Sequence, residues 1–412
     1  MPLNMHNDSS ALTWDLLIIG AGISGLSIAQ EAARAGWNIL LLEQENRPGG
    51  CLHSHRFTSG DLDGFWLELG AHSAFNSYGN LLALLESTGA LNRLQRRAKV
   101  NFRLYAEGAV RSIPSQLAFA ELLLAPLRLL GSNKIGRSVA EYFRPIVGPR
   151  NYRQVFEPAF SAVLCQPAGE FPADGLFNPR PRRKDVPRGF TLTGGLQTLA
   201  EIFAEQPGVH IAFGQTVQEL WREADGFRVR TGNGVYLARS LCLATPVAVA
   251  ADLLQDAFPA LAERLAEIPT AWMDSVGVAL PRSLLKLPPL AGLIGRNQPF
   301  YSAVSRDVVP DQRYRGFTFH FRPGALDTAG QRECIARTLN VAEDRLTATN
   351  LVSKTNQLPA LRVGHGERAR DLDQMLAGTR LALTGNYFTG IAIEDCVTRS
   401  RQEWARLQRE LG

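Results

Sequence analysis

The five cysteines of this 412-residue chain (Cys51, Cys165, Cys242, Cys334 and Cys396) are scattered and never form a CxxC pair. That spacing excludes a disulfide framework, a cysteine zinc site and a dithiol redox relay, and it suits a reducing compartment. No run of about 18 apolar residues is present, so no helix is expected to span a membrane. The most apolar stretch, 117–130, is shorter and carries Glu121, Pro126 and Arg128. Residues 1–13 are polar and lack the charged-then-apolar order of a signal peptide, which points to a cytoplasmic protein. Nor is there a large charge imbalance. With 44 basic and 39 acidic residues the net charge is +5, too little to choose among nucleic acid, anionic lipid and a carboxylate substrate. Internal repeats and low-complexity tracts are absent as well.

What is present begins at residue 14. Residues 14–20 read as a continuous apolar strand buried on both faces, 24–35 as a helix and 38–42 as a second buried strand ending at Glu43. This is a βαβ unit. Gly20, Gly22 and Gly25 form GxGxxG at the strand-to-helix turn, with Ser24 inside the motif. Gly20 permits the tight turn, Gly22 lets a pyrophosphate approach the backbone at the helix N-terminus, and Gly25 lets helix and strand pack closely. Glu43, at the end of the second strand, is placed to accept hydrogen bonds from a ribose diol, which suits FAD or NAD and disfavours NADP. Beyond it, Arg47, Gly49 and Gly50 offer a second close approach of backbone to phosphate, with a guanidinium to neutralise charge. Residues 66–72, including Gly70 and Ala71, make another small-residue turn.

Residues 20–50 resemble the FAD-binding entrance of the flavin amine oxidase and protoporphyrinogen oxidase superfamily. The far end is similar to the segment in which that family aims a helix N-terminus at the isoalloxazine: Gly385, Asn386, Gly390, Ile391, Ala392, Ile393 and then Glu394, Asp395 and Cys396. The resemblance implies noncovalent FAD, with contacts at Gly20, Gly22, Ser24, Gly25, Glu43, Arg47, Gly49, Gly50, Gly70, Ala71, Val217, Gly385, Asn386, Ile391, Ala392 and Ile393. Cys396 reads as a small buried thiol. The stretches 138–148, 156–163, 194–199 and 358–365 look like the protoporphyrinogen oxidase branch. Departures at 164–170 and at Ala71 leave the substrate less defined than the cofactor.

The implied fold class is α/β: a glutathione-reductase-like, Rossmann-like FAD domain from 1–80, 190–265 and 365–412. An α+β substrate domain follows from 266–364, with a helical insertion at 81–189 that faces substrate or membrane. No second GxGxxG follows a strand, so no nicotinamide domain is expected, and Gly232 to Gly234 reads as a hairpin turn. No lysine stands in 274–280, where amine oxidases place one near the flavin. No metal site is expected.

The leading activity is FAD-linked, dioxygen-dependent oxidation of a porphyrinogen, protoporphyrinogen IX or coproporphyrinogen III. An amine or isoprenoid substrate, or a flavin-binding protein without catalysis, remains the alternative. Arg96 and Arg97, in a basic run with Arg93 and Lys99, are the candidate anchors for substrate carboxylates. His72, His320 and His365 read as structural, and no catalytic residue is assigned. The basic cluster 180–188 has no nucleic-acid module beside it and reads as an exposed loop. Expected partners are therefore a small molecule and dioxygen, with no nucleic acid. A homodimer stays open, as does peripheral membrane contact through 117–130. Read as one helix, that segment puts Glu121 and Arg128 on one face and is either core or interfacial.

Overall fold

The computed structural model describes residues 13–411; the reading of residues 1–12 falls outside them. Leu16, Leu17, Ile18 and Ile19 form an unbroken apolar run, and strand Thr13–Ile19 is accordingly buried at the centre of a seven-stranded sheet. Ile39–Leu42 pairs parallel on one side of it and Gly234–Leu243 on the other. Val209–Ala212 extends the sheet beyond Ile39–Leu42. Gly226–Thr231 and Val217–Glu223 continue it as antiparallel strands beyond Gly234–Leu243.

The C-terminal strand Leu381–Leu383 also pairs parallel to Gly234–Leu243, with Leu241 opposite Leu381. One sheet is thus assembled from segments more than 360 residues apart. Two helices lock the ends together. Helix Ile393–Leu411 packs on helix Ile23–Arg34, where the Ser400 hydroxyl donates to the Ser24 carbonyl at 2.9 Å. Trp37 meets Trp404 edge-on at 4.7 Å between ring centres.

A second seven-stranded sheet runs in the order Leu351–Pro359, Thr270–Pro281, Tyr314–Phe321, Phe300–Ser305, Gly292–Gly295, Phe102–Ala106, Ala109–Arg111. Its helix-covered face is aromatic: Phe300, Phe317, Phe319 and Phe321 pack with Ile335 and Leu339 of helix Thr328–Leu339. Phe102–Ala106 joins through a parallel pairing with Gly292–Gly295. The stretch expected to be mostly helical therefore lends two strands to this sheet. It lends another, Leu94–Arg96, to a small three-stranded sheet with Gly189–Leu192 and Ala74–Phe75. Leu94–Arg96 and Phe102–Ala106 find distant partners that override local pattern, and Ala109–Arg111 follows as a hairpin on the latter.

Residues 117–130 do not form the single expected helix. They make two short ones, Phe119–Leu122 and Ala125–Leu129, with Pro126 in the first turn of the second. The missing proline N–H is tolerated there and breaks a longer helix anywhere else. The core alternative for this segment also fails, since Leu123 is 77% exposed and Leu130 76%. Its acid turns inward instead. The Glu121 carboxylate accepts from the Arg150 and Asn151 amides at 3.1 and 3.2 Å, and Arg128 donates to the Ile146 carbonyl at 3.4 Å.

Candidate active site

Helix Ile23–Arg34 begins at Gly22 with no side-chain cap, so its first-turn N–H groups face outward unfilled. A Cβ built on Gly22 meets nothing within 4 Å, whereas one on Gly25 would lie 2.0 Å from the Gly20 carbonyl oxygen. The first glycine therefore borders open space, and the third is where helix and strand touch. Gly49 bridges to Gly22, and a Cβ on Gly50 would sit 3.5 Å from the Gly22 Cα. The two glycine turns form one cradle of bare backbone.

Glu43 is buried beside it, its carboxylate held by the Ala21 amide at 2.7 Å and the Glu45 amide at 2.9 Å. The Glu43 carbonyl accepts from the Gln215 amide at 2.8 Å, which brings the head of strand Val217–Glu223, and so Val217, to the same edge. Arg47 folds into its own loop, paired with Glu45 at 2.7 Å and donating to the Gly50 carbonyl at 3.2 Å. It braces the second turn rather than reaching across the first. Residues 70–71 lie against this loop through the Ala71 amide and the Cys51 carbonyl at 2.9 Å. The run from Gly385 and Asn386 through Ile391 and Ala392 to Ile393 leads into the last helix. Glu394 in that helix's first turn ties it to the Asn80 and Leu81 amides at 2.9 and 3.1 Å. Open space at a Cβ-free glycine, unfilled amides and a positioned carboxylate fit a dinucleotide with a pyrophosphate and a ribose diol.

Where residues 66–72 and the small sheet meet the second sheet lies a cavity of about 30 Å³, with Glu68, His72, Arg97, Thr191, Arg306 and Thr318 in its lining. Arg97 donates to the Ser73 hydroxyl at 2.7 Å, and that hydroxyl lies 2.9 Å from Nδ1 of His72. From the second sheet, Asn356 donates to Ser275 at 3.0 Å, and Ser275 lies 3.1 Å from Nδ1 of His320. In both chains a serine hydroxyl links a side-chain donor to Nδ1 of a histidine, so each ring is held in place through that nitrogen. The two imidazoles stack at 6.2 Å. Burial keeps them neutral, pushing His72 down to about 3 and His320 down to about 4. Glu68 accepts from Ser54 at 2.6 Å and from the Leu196 amide at 2.7 Å, and burial pushes its carboxyl up to about 7.

Of the two candidate substrate anchors, Arg96 is exposed on strand Leu94–Arg96, and only Arg97 lines the cavity. Among the three histidines, His72 and His320 come together. His365 instead lies 3.0 Å from the Phe388 carbonyl through Nε2. Thr191, Ser275, Arg306 and Asn356 were not singled out by sequence. No local pattern marks them, because each joins the site through a different strand or turn.

A family model described as "Flavin containing amine oxidoreductase" matches residues 23–302. The coproporphyrinogen III oxidase of Propionibacterium freudenreichii is 29% identical over 240 residues, covering 51% of this chain and 43% of that protein. The protoporphyrinogen oxidase of Bos taurus is 24% identical across 95% of this chain and 98% of its own length. Among solved structures, a candidate protoporphyrinogen oxidase from Exiguobacterium sp. 255-15 superposes with a TM-score of 0.78 at 21% identity. That match covers 96% of this chain and 98% of the other. The chain belongs to the flavin containing amine oxidoreductase family and is an FAD-dependent oxidoreductase of α/β fold.

Proposed function

We propose that the protein oxidises a porphyrinogen, protoporphyrinogen IX or coproporphyrinogen III, with dioxygen as the final acceptor. The observation that carries this reading is Arg97, a guanidinium that lines a cavity where residues 66–72 and the small sheet meet the second sheet, with its buried Nε lacking a partner. A porphyrinogen is mostly apolar, and its propionates are the groups an arginine fork can grip. The names of the bacterial and bovine relatives agree with that chemistry. FAD held by these turns would supply a two-electron acceptor that dioxygen could reoxidise.

The chain's own part is to orient and to exclude water. In this reading Gly22, Ser24, Gly50, Val217 and the turn at 385–393 seat the cofactor, Arg47 braces the second glycine turn, and Arg97 fixes the substrate's orientation. Residues 1–80, 190–265 and 365–412 act as the cofactor unit and 266–364 as the substrate unit. Burial keeps His72 and His320 neutral, and the reading assigns neither of them as a catalytic base. Anaerobic mixing of the FAD-loaded enzyme with porphyrinogens, amines and polyenes tests the assignment. The flavin should bleach with a porphyrinogen and stay oxidised with the others; bleaching by an amine or polyene alone sinks it.

The same reading places the enzyme on a membrane surface. No helix among the described residues is long and apolar enough to cross one. Yet Phe119, Leu123, Leu127, Leu130 and Ile135 are each more than 60% exposed while Glu121 turns inward, the reverse of a water-facing segment. Arg128 and Arg137 line an open groove of about 360 Å³ beside them, suited to anionic headgroups.

A further inference from the structure

Arg306 sits in the turn Arg306–Val308 that follows strand Phe300–Ser305 of the second sheet. Its guanidinium lies over the Trp66 ring at 3.9 Å, and its buried Nε and Nη1 have no hydrogen-bond partner. Arg97 enters the same cavity from the small sheet, and the Ala98 amide donates to the Val308 carbonyl at 2.7 Å, so the two arginine-bearing segments are tied together.

Neither arginine has an ion pair among the described residues. The nearby acids are engaged elsewhere. Asp307 grips Arg315 at 2.5 and 2.8 Å, and Glu68 is held by Ser54 and the Leu196 amide. Thr191, 2% exposed and lining the cavity, leaves its hydroxyl without a partner as well. The two half-buried guanidiniums share the cavity with the Glu68 carboxyl, which burial pushes up to about 7, and their unpartnered N–H groups carry a desolvation cost that a bound anion would offset.

We propose that this cavity receives one carboxylate, gripped by Arg97 and Arg306 from separate sheets, and that Arg306 sets the preference for carboxylate-bearing substrates. A cavity of about 30 Å³ has room for one or two water-sized groups, so a carboxylate head enters while a macrocycle stays outside. The unpartnered N–H groups of Arg97 and Arg306 and the Thr191 hydroxyl supply donors that a carboxylate accepts. Stacking on Trp66 fixes the plane of Arg306 and leaves its edge free. The proposal deepens the porphyrinogen reading, which it uses only for the source of the carboxylate: a substrate propionate rather than a free small acid.

Calorimetric titration of the FAD-loaded enzyme with sodium propionate, at constant ionic strength, reads the cavity without turnover. Saturable binding is expected, weakened at least about 30-fold by Arg306→Leu at unchanged FAD content, and weakened less by Arg306→Lys, which keeps the charge if the leucine variant fails to fold. No propionate binding, equal binding by the folded variants, or displacement of propionate by the same concentration of chloride overturns the proposal. The source is tested separately. Wild type should oxidise a free-acid porphyrinogen at least about 30-fold more efficiently than its methyl ester, and Arg306→Leu should lose that preference. Equal turnover of acid and ester by an enzyme that still binds propionate also overturns it. If neither is oxidised, the porphyrinogen assignment fails while the propionate titration still decides the cavity.

Discussion

In the cofactor cradle the working atoms are backbone: amides left free at a helix start, glycines without Cβ, and one carboxylate held by its neighbours' N–H groups. In the adjacent cavity they are side chains from at least five separate segments, Glu68, His72, Arg97, Thr191 and Arg306 among them, and several of their polar atoms have no protein partner. A backbone-built site complements its ligand with what every residue carries, so its identity lies in local spacing. A side-chain-built site stores desolvation cost that a ligand later offsets, and its identity lies in which strands meet.

The sharpest break of that comparison lies within the first motif. Gly25→Val drives a side chain into the Gly20 carbonyl 2.0 Å away and should abolish soluble folded protein. Gly22→Val meets no protein atom within 4 Å, so it should fold normally and be colourless, because valine occupies the pyrophosphate's space. Circular dichroism together with flavin absorbance separates the two, and a yellow Gly22→Val protein would remove the cradle assignment.

Next comes the cavity's electrostatics, where buried groups pull in opposite directions with pH. His320, lowered from 6.5 to about 4 by burial, contributes stability that is present above pH 6.5 and lost as pH falls toward 4. Glu68, raised from 4.5 to about 7 by burial, contributes stability that is present below pH 4.5 and lost as pH rises toward 7. Each is worth about 2 kcal/mol between pH 5 and 7, with opposite signs, and His72, lowered to about 3, adds to the His320 side. His320→Asn should therefore make the protein relatively more stable at pH 5 than at pH 7, and Glu68→Gln the reverse. Urea unfolding at the two pH values checks this; parallel pH dependence in both variants contradicts it.

The two neighbouring arginines give a control of similar size. Arg97→Ala should lower kcat/KM for a porphyrinogen at least about 30-fold with FAD retained. Exposed Arg96→Ala should change it less than about twofold. Equal effects would mean that position relative to the cavity does not matter. The smallest effect is expected at the surface. Leu123→Asp with Leu127→Asp should release the enzyme from anionic vesicles in flotation and leave turnover of dissolved substrate nearly unchanged.

Much of the cradle was legible before any coordinates. GxGxxG between an apolar strand and a helix, Glu43 closing the next strand, and the turn at 385–393 are local signals, because backbone chemistry is dictated by residues adjacent in sequence. The segment 117–130 was only half legible. Its apolar content was plain, yet which side faces water depends on Glu121 finding the amides of Arg150 and Asn151, about 30 residues on.

The cavity was least legible. Arg96 and Arg97 are equivalent in sequence, and their difference arises because Leu94–Arg96 pairs with Gly189–Leu192, leaving Arg96 exposed and the next residue facing inward. His72 and His320 looked structural as isolated residues, and become a pair only because the second sheet docks against the turn after Gly70. The sequence by itself determined the cofactor class and the joining of the chain's two ends, since strand, turn and helix propensities act over a few residues. Only the tertiary structure decided which charges are buried, because burial is set by what packs on a residue from elsewhere in the chain.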